Sequence, residues 1–256
     1  AVTELKLAND AVTEAKIAAA AVNTAQINNA ALKAPLGAVL SLSAKNSTTA
    51  SIAEAGGVRD VSGNGNHGQA LGGVAVVDSE VGKAFSFDGS NDYLRITNSS
   101  TISPKNSITI SIWIKSNGTN LNKGLIYKGS FSKTHGDYSI HISPSEEGKA
   151  QIYLNNASFI LRSNSVVNDD ELHFITATYD GSIVKIYIDG VFETSADYNT
   201  PIASSSNDLI IGGYYYGSGY LFSGAIAHPK IYNRALTAAE VKSLYMFPED
   251  AAFGNV

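Results

Sequence analysis

The sequence predicts an all-β protein, a sandwich of jelly-roll type with one short C-terminal helix, preceded by a short fibrous repeat segment. Three observations carry this prediction: two-residue alternation of apolar side chains in several segments, Asp-Gly turns between them, and a ten-residue period confined to the start of the chain.

Alternation is clearest in Ser107–Lys115 (SITISIWIK). There Ile108, Ile110, Ile112 and Ile114 point one way, and Thr109, Ser111 and Trp113 the other. In Ile183–Asp189, Val184, Ile186 and Ile188 oppose Lys185 and Tyr187. Such segments read as half-buried strands of antiparallel sheet, because successive side chains leave a strand on opposite faces. Further strands read at Val39–Leu42, Ala84–Phe87, Tyr93–Ile96, Gly124–Lys128, Tyr138–Ile142, Ala150–Leu154, Leu172–Tyr179, Asp208–Gly212 and Leu221–Tyr232. Asp180-Gly181 and Asp189-Gly190 supply the tight turns that hairpins need. Many short strands with such turns indicate a sandwich. The helix is announced by Thr237-Ala238-Ala239-Glu240, a capping box, with Pro248 beyond its end.

The first 37 residues differ in kind. AVTELKLAND, AVTEAKIAAA, AVNTAQINNA and ALKAPLG align Ala1, Ala11, Ala21 and Ala31, then Val2, Val12, Val22 and Leu32, then Leu7, Ile17 and Ile27. A ten-residue step turns a helical stripe by roughly 80° per repeat, so no face of a helix would stay apolar. Short extended units that bury their side chains against other copies of the chain suit this period better. Ala34–Gly37 (APLG) marks the junction. The expected organisation is a fibrous segment at 1–37, a sandwich at 38–247 and a tail at 248–256. Because the chain opens on alanine inside a repeat, it is expected to be a piece of something longer.

Composition narrows the function classes. Of 256 residues, 44% are hydrophobic and 16% charged, which supports a sizeable core. A net charge of −5 argues against nucleic acid as a partner. No apolar run approaches the ~20 residues that span a bilayer, so membrane insertion is not expected. With no cysteine, disulfides, thiol catalysis and Cys-ligated zinc are excluded.

Several segments, in order, resemble the laminin-G-like domains of the concanavalin A-like lectin and glucanase superfamily. They are Asp60–Gly68 (DVSGNGNHG), Gly82–Ile96 (GKAFSFDGSNDYLRI), Ser107–Lys115, His173–Gly190, Leu209–Gly213 and Gly224–Tyr245. The N-terminal repeats resemble the decapeptides of bacteriophage tail fibres, which are usually trimeric. Together these resemblances imply a homotrimeric virion component that binds host-cell-surface glycan and joins other virion tail proteins. A structural fibre joint or protein-docking domain, and a secreted bacterial adhesin, are the alternatives.

The family often holds calcium. Asp60, Asn64 and Asn66 could offer oxygens to that hard cation, with Gly63, Gly65 and Gly68 letting the backbone fold around it. Ala227 stands where the family often places an acid. For glycan, the segment Gly212–Tyr220 sets Tyr214, Tyr215, Tyr216 and Tyr220 among glycines, and tyrosine rings both stack on sugars and hydrogen-bond to them. Trp113 and Tyr187, on the face opposite the isoleucines, could line an open surface.

Catalysis is not expected. Retaining glycan hydrolases need two carboxylates about 5–5.5 Å apart, which on one strand means acids at alternate positions. Asp169-Asp170-Glu171 and Glu146-Glu147 read instead as loop charge. The five histidines lack metal-ligand spacing.

Overall fold

The computed structural model describes residues 37–116, 123–129, 136–143, 148–213 and 220–248, all within the unit Ala34–Val256. Two antiparallel sheets pack face to face. The larger runs in the order β14 (Val191–Asp197), β13 (Ile183–Ile188), β12 (Leu172–Tyr179), β7 (Ile108–Ser116), β16 (Ser223–Tyr232), β1 (Ala38–Ser43) and β2 (Arg59–Asp60). Beside them, β5 (Gly82–Asp88) pairs with β16 and carries β4 (Ala75–Ser79). The smaller sheet runs β11 (Phe159–Val166), β10 (Lys149–Leu154), β9 (Tyr138–Ile142), β8 (Lys123–Lys128), β15 (Leu209–Ile211), β6 (Tyr93–Ile96) and β3 (Gly68–Leu71). Two helices accompany them, α1 (Thr49–Ala53) and α2 (Ala238–Met246).

Between the sheets lies an aliphatic core. The four isoleucines of β7 meet Val184, Ile186 and Ile188 of β13 and Ile140, Ile142, Ile152 and Ile211 of the smaller sheet. Each such side chain contributes about 1.5–3 kcal/mol on burial. The two Asp-Gly turns form as expected. Asp189 and Gly190 have φ of 53° and 75°, the double positive that a tight hairpin requires. At the other turn, Asp180 Oδ1 accepts from the N–H groups of Ser182 and Ile183.

One edge of β16 serves two partners. Ser223–Ile226 pair with β5, and the pairing passes to β1 from Lys230 onward. The register on β7 slips between Ala227 and Lys230. His228 (φ 47°) takes up the bulge, and Pro229, which has no N–H to give, falls inside it. The His228 imidazole secures this kink by donating from Nε2 to the Val81 carbonyl at 2.6 Å.

Two differences from the sequence reading have clear causes. β7 is buried on both faces rather than one, because α2 and its approach pack on the outer side. Strands β2, β3, β4, β11 and β14 and helix α1 carry no legible pattern. β11 (FILRSNSV) and β14 (VFETSAD) are outer strands of their sheets; β11 alternates in burial, but the exposed Ile160 between Phe159 and Leu161 hides this in the sequence, and no residue of β14 is buried. These two strands are joined across the sandwich by Glu193, whose Oε2 accepts from the N–H groups of Asn164 and Ser165 at 2.7 and 3.2 Å. That occupies backbone donors that an edge strand would otherwise expose.

Candidate ligand-binding site

The outer face of the larger sheet is closed. Trp113 lies opposite Phe174 on β12 and Ala227 on β16. Its ring stacks on Tyr245 of α2 with centroids 5.4 Å apart, and tilts against Phe174 at 5.0 Å. Only 5% of Trp113 is exposed. Tyr187, 3% exposed, meets Phe192 edge to face at 5.7 Å. Neither ring therefore offers a face to solvent, as the open surface they could have lined would require. The alternation correctly put them opposite the isoleucines, but a helix far along the chain covers that side. Leu236, Val241 and Leu244 complete the cover.

The smaller sheet is buried on its outer face too: Tyr127, Ser139 and His141 are 0% exposed, Gln151 and Ile210 1%, and Tyr153 5%. Its outward positions are rings and polar groups aligned in register across the strands. Tyr153 on β10 lies opposite Ser139 on β9, Ser139 opposite Tyr127 on β8, and Tyr127 opposite Ile210 on β15. One step along, Gln151 lies opposite His141. The Tyr153 hydroxyl donates to Gln151 Oε1, and the His141 ring stands 4.9 Å from that of Tyr153. Burial pushes the Tyr153 hydroxyl up from its ordinary pKa, against the pull of Arg162.

Tyr220 belongs to this face. It is half-buried and packs, with Tyr93, on Tyr127 and Ile210, apart from the main core. Its carbonyl accepts from the Gly124 N–H at 3.2 Å. Tyr214, Tyr215 and Tyr216 lie outside the described residues. The sequence reading missed Tyr127, His141, Gln151 and Tyr153. The signal was present: within GLIYK, YSIHI and AQIYL the positions alternating with the core side chains carry these rings and polar groups.

The loop at Asp60–Gly68 is knit by hydrogen bonds. Asp60 Oδ1 accepts from Ser41 N and Ser62 N, both at 3.0 Å, and Oδ2 from Ser62 Oγ at 2.8 Å and Asn66 N at 2.9 Å. Four donors fill the lone-pair positions of the carboxylate. Asn66 Oδ1 accepts from Ser99 Oγ at 2.6 Å, while its Nδ2 donates to Val39 O and Thr101 Oγ1. Asn64 Nδ2 donates to Ala38 O. So disposed, both Asp60 oxygens and Asn66 Oδ1 are engaged by donors within the loop, whereas calcium would need such oxygens for itself, and Asn64 enters the loop's hydrogen bonds through its nitrogens. At the family's other acidic position, Ala227 is buried against the Trp113 cluster. Among the described residues no three acidic or histidine side chains gather as metal ligands.

At the entrance to β12, His173 bridges two carboxylates. Nδ1 stands 2.9 Å from Asp189 Oδ2, and Nε2 stands 3.1 Å from Asp169 Oδ1. The hydrogen bond to Asp189 raises the imidazole pKa against the opposing effect of burial, with the charges of both aspartates adding to the rise. Burial pushes Asp169 up, but the Glu171 N–H and His173 together hold it below the usual carboxylate range. The remaining Asp189 oxygen accepts from Phe174 N at 2.8 Å. This arrangement ties two loops together and leaves neither aspartate free to act as an acid or base.

Residues 88–242 match the family described as the Concanavalin A-like lectin/glucanases superfamily, and the chain belongs to it. Among solved structures, Domain 4 of AbnA, a GH43 extracellular arabinanase from Geobacillus stearothermophilus solved with arabinotriose, aligns with a TM-score of 0.64. It is 18% identical over 82% of this chain and 98% of its own. The binding domain of Botulinum Neurotoxin serotype G aligns with a TM-score of 0.63 and 21% identity, over 83% of this chain and 51% of its own. That of Paraclostridial Mosquitocidal Protein 1 gives 0.62 and 19%, over 82% and 52%. The chain thus spans about half the length of the toxin binding domains it matches, and the likeness is one of fold. A search of curated protein sequences finds no match.

Proposed function

We propose that the sandwich is a non-catalytic module that recognises glycan on a cell surface. The single observation that carries this reading is the pair of half-buried rings Tyr93 and Tyr220, packed over a buried row of rings and polar groups on the smaller sheet, in a chain of the lectin and glucanase superfamily. Tyr220 sits at the margin of that row, where a half-buried ring can stack on a sugar while its hydroxyl hydrogen-bonds. Tyr214, Tyr215 and Tyr216, which closely precede Tyr220 in the sequence, are proposed to contribute to the same recognition. Buried Tyr127 and Ile210 beneath Tyr220 and Tyr93 limit the motion of those rings, as a preorganised site requires.

Binding to a glycan array tests the reading. Tyr220→Ala should weaken binding roughly tenfold or more and Tyr220→Phe by less, with melting temperature little changed. Unchanged affinity in the alanine variant, or the absence of any glycan ligand, would sink it.

The decapeptide register supports a finer proposal, that the sandwich is the head of a trimeric viral tail fibre acting at the host surface. Three linked heads gain avidity without new contacts. In light scattering the intact chain should then run as a trimer, and a chain shortened to begin at Ala38 as a monomer. A monomeric intact chain at micromolar concentration would refute the trimer.

A further inference from the structure

Beyond the part of the larger sheet's outer face that α2 closes, at the end of β7, a cleft of about 410 Å³ opens, lined by Asp78, Ser79, Glu80, Lys115, Leu172 and Ala225. Register builds its floor. Lys115 of β7 is flanked directly by Leu172 of β12 and Ala225 of β16, so a cation rises between two apolar side chains. The wall is the turn from β4 to β5. Ser79 Oγ closes that turn by donating to the Gly82 carbonyl, and the strained His228 bulge grips it through Val81.

The polar groups of the cleft divide into spent and unspent. Asp78 is taken by Lys83 at 2.7 Å, and Ser79 by its own turn. The Lys115 ammonium stands 3.7 Å from Glu80 Oε1, beyond hydrogen-bond reach, and neither group has another hydrogen-bond partner among the described residues. One donor and one acceptor, both open to solvent with 44% and 72% of their side chains exposed, therefore stand close together beside a small apolar floor. One row along the same face lies Trp113, whose indole N–H is buried without a partner.

We propose that this cleft binds a saccharide residue through two adjacent hydroxyls. One hydroxyl oxygen accepts from Lys115 Nζ, and its neighbour donates to the Glu80 carboxylate. Inserting a vicinal diol replaces one long ionic contact with two charge-assisted hydrogen bonds. Leu172 and Ala225 meet the C–H face of the ring. The class of ligand is a hydroxyl-rich saccharide, and a second subsite on the opposite sheet lets one head engage a glycan at two places. The inference rests on the glycan reading above, but its residues are separate from the tyrosine face.

The test uses the intact protein and two readouts. Nuclear magnetic resonance of the Lys115 side chain is followed while free hexoses, and deoxyhexoses lacking one of two adjacent hydroxyls, are added at millimolar concentration. Glycan affinity and melting temperature are then measured for Lys115→Met and Glu80→Gln. Intact hexoses should shift the Lys115 signals and the matching deoxyhexose should not. Each substitution should weaken glycan binding roughly tenfold without moving the melting temperature. Full affinity in both variants with loss in Tyr220→Ala would overturn the cleft and leave the glycan reading standing. A protein that binds no array glycan while its Lys115 signals ignore every sugar would overturn both.

Discussion

Trp113 occupies a position where the sequence alone suggests an exposed ring, and its stack on Tyr245 makes it an anchor for α2 instead. Trp113→Ala should cost about 3–5 kcal/mol, the usual range for emptying a buried aromatic site. It should lower the melting temperature while the glycan affinity of the folded fraction stays constant. A loss of affinity without a loss of stability would return Trp113 to the ligand site. His173 makes a different prediction. Its raised pKa means that its contribution to stability is complete below the unfolded value of 6.5 and is lost as pH rises through the folded value. Asp169, held low, behaves oppositely: its contribution is present above the unfolded 3.8 and is lost as pH falls through its folded value. His173→Gln should therefore remove a decline of about 1 kcal/mol on the alkaline side of pH 6.5, visible as a flatter profile of melting temperature against pH. Parallel profiles for variant and wild type would refute the assignment.

At the level of elements, α2 depends on a few terminal contacts. Thr237 Oγ1 accepts from Glu240 N, and Glu240 Oε2 accepts from Thr237 N at 2.8 Å, so the box foreseen in the sequence forms. Arg234 adds two hydrogen bonds to Glu240, and these hold the carboxyl below its ordinary range against burial. Thr237→Ala should cost about 1 kcal/mol, measured by denaturant unfolding, and no change would show that α2 needs no cap. The other end of α2 rests on the turn at Gly190, where an added Cβ would sit 2.9 Å from Tyr245 Cβ. Gly190 is thus required twice, by its positive φ and by the helix above it. Edge strands explain why so much of the sheet pattern was silent. β7 shows that burial on both faces need not abolish alternation, since its four isoleucines fill the core while Thr109, Ser111 and Trp113 are buried on the other side.

Across the whole molecule, the Asp60 loop acts as a clasp. It joins β1, β2 and the segment at Ser99–Thr101 through one buried carboxylate and one buried amide. Melting temperatures with calcium and with chelator should be equal, and Asp60→Ala should lower both. A calcium-dependent rise that Asp60→Ala abolishes would make the loop an ion site after all.

Which side of each strand faces the core was determined by the sequence itself, because sidedness follows from a two-residue backbone repeat and needs no distant partner. Isoleucines 108 to 114, the Asp-Gly turns and the Thr237 box were legible for that reason. The tertiary structure alone decided what covers the opposite side. On β7 it is a helix contributed from the far end of the chain, whose Tyr245 stacks on Trp113, while Tyr187 of β13 is buried in the same cluster against Phe192. On the smaller sheet the same rule set Tyr127, His141, Gln151 and Tyr153 on the side away from the core, yet only the pairing of β8, β9 and β10 brought them together on the face where Tyr220 packs. The Lys115 cleft was still less accessible to sequence, since its donor and acceptor come from different elements and meet only through a strained bulge at His228. Periodicity is local, whereas burial and juxtaposition depend on which elements the fold packs together.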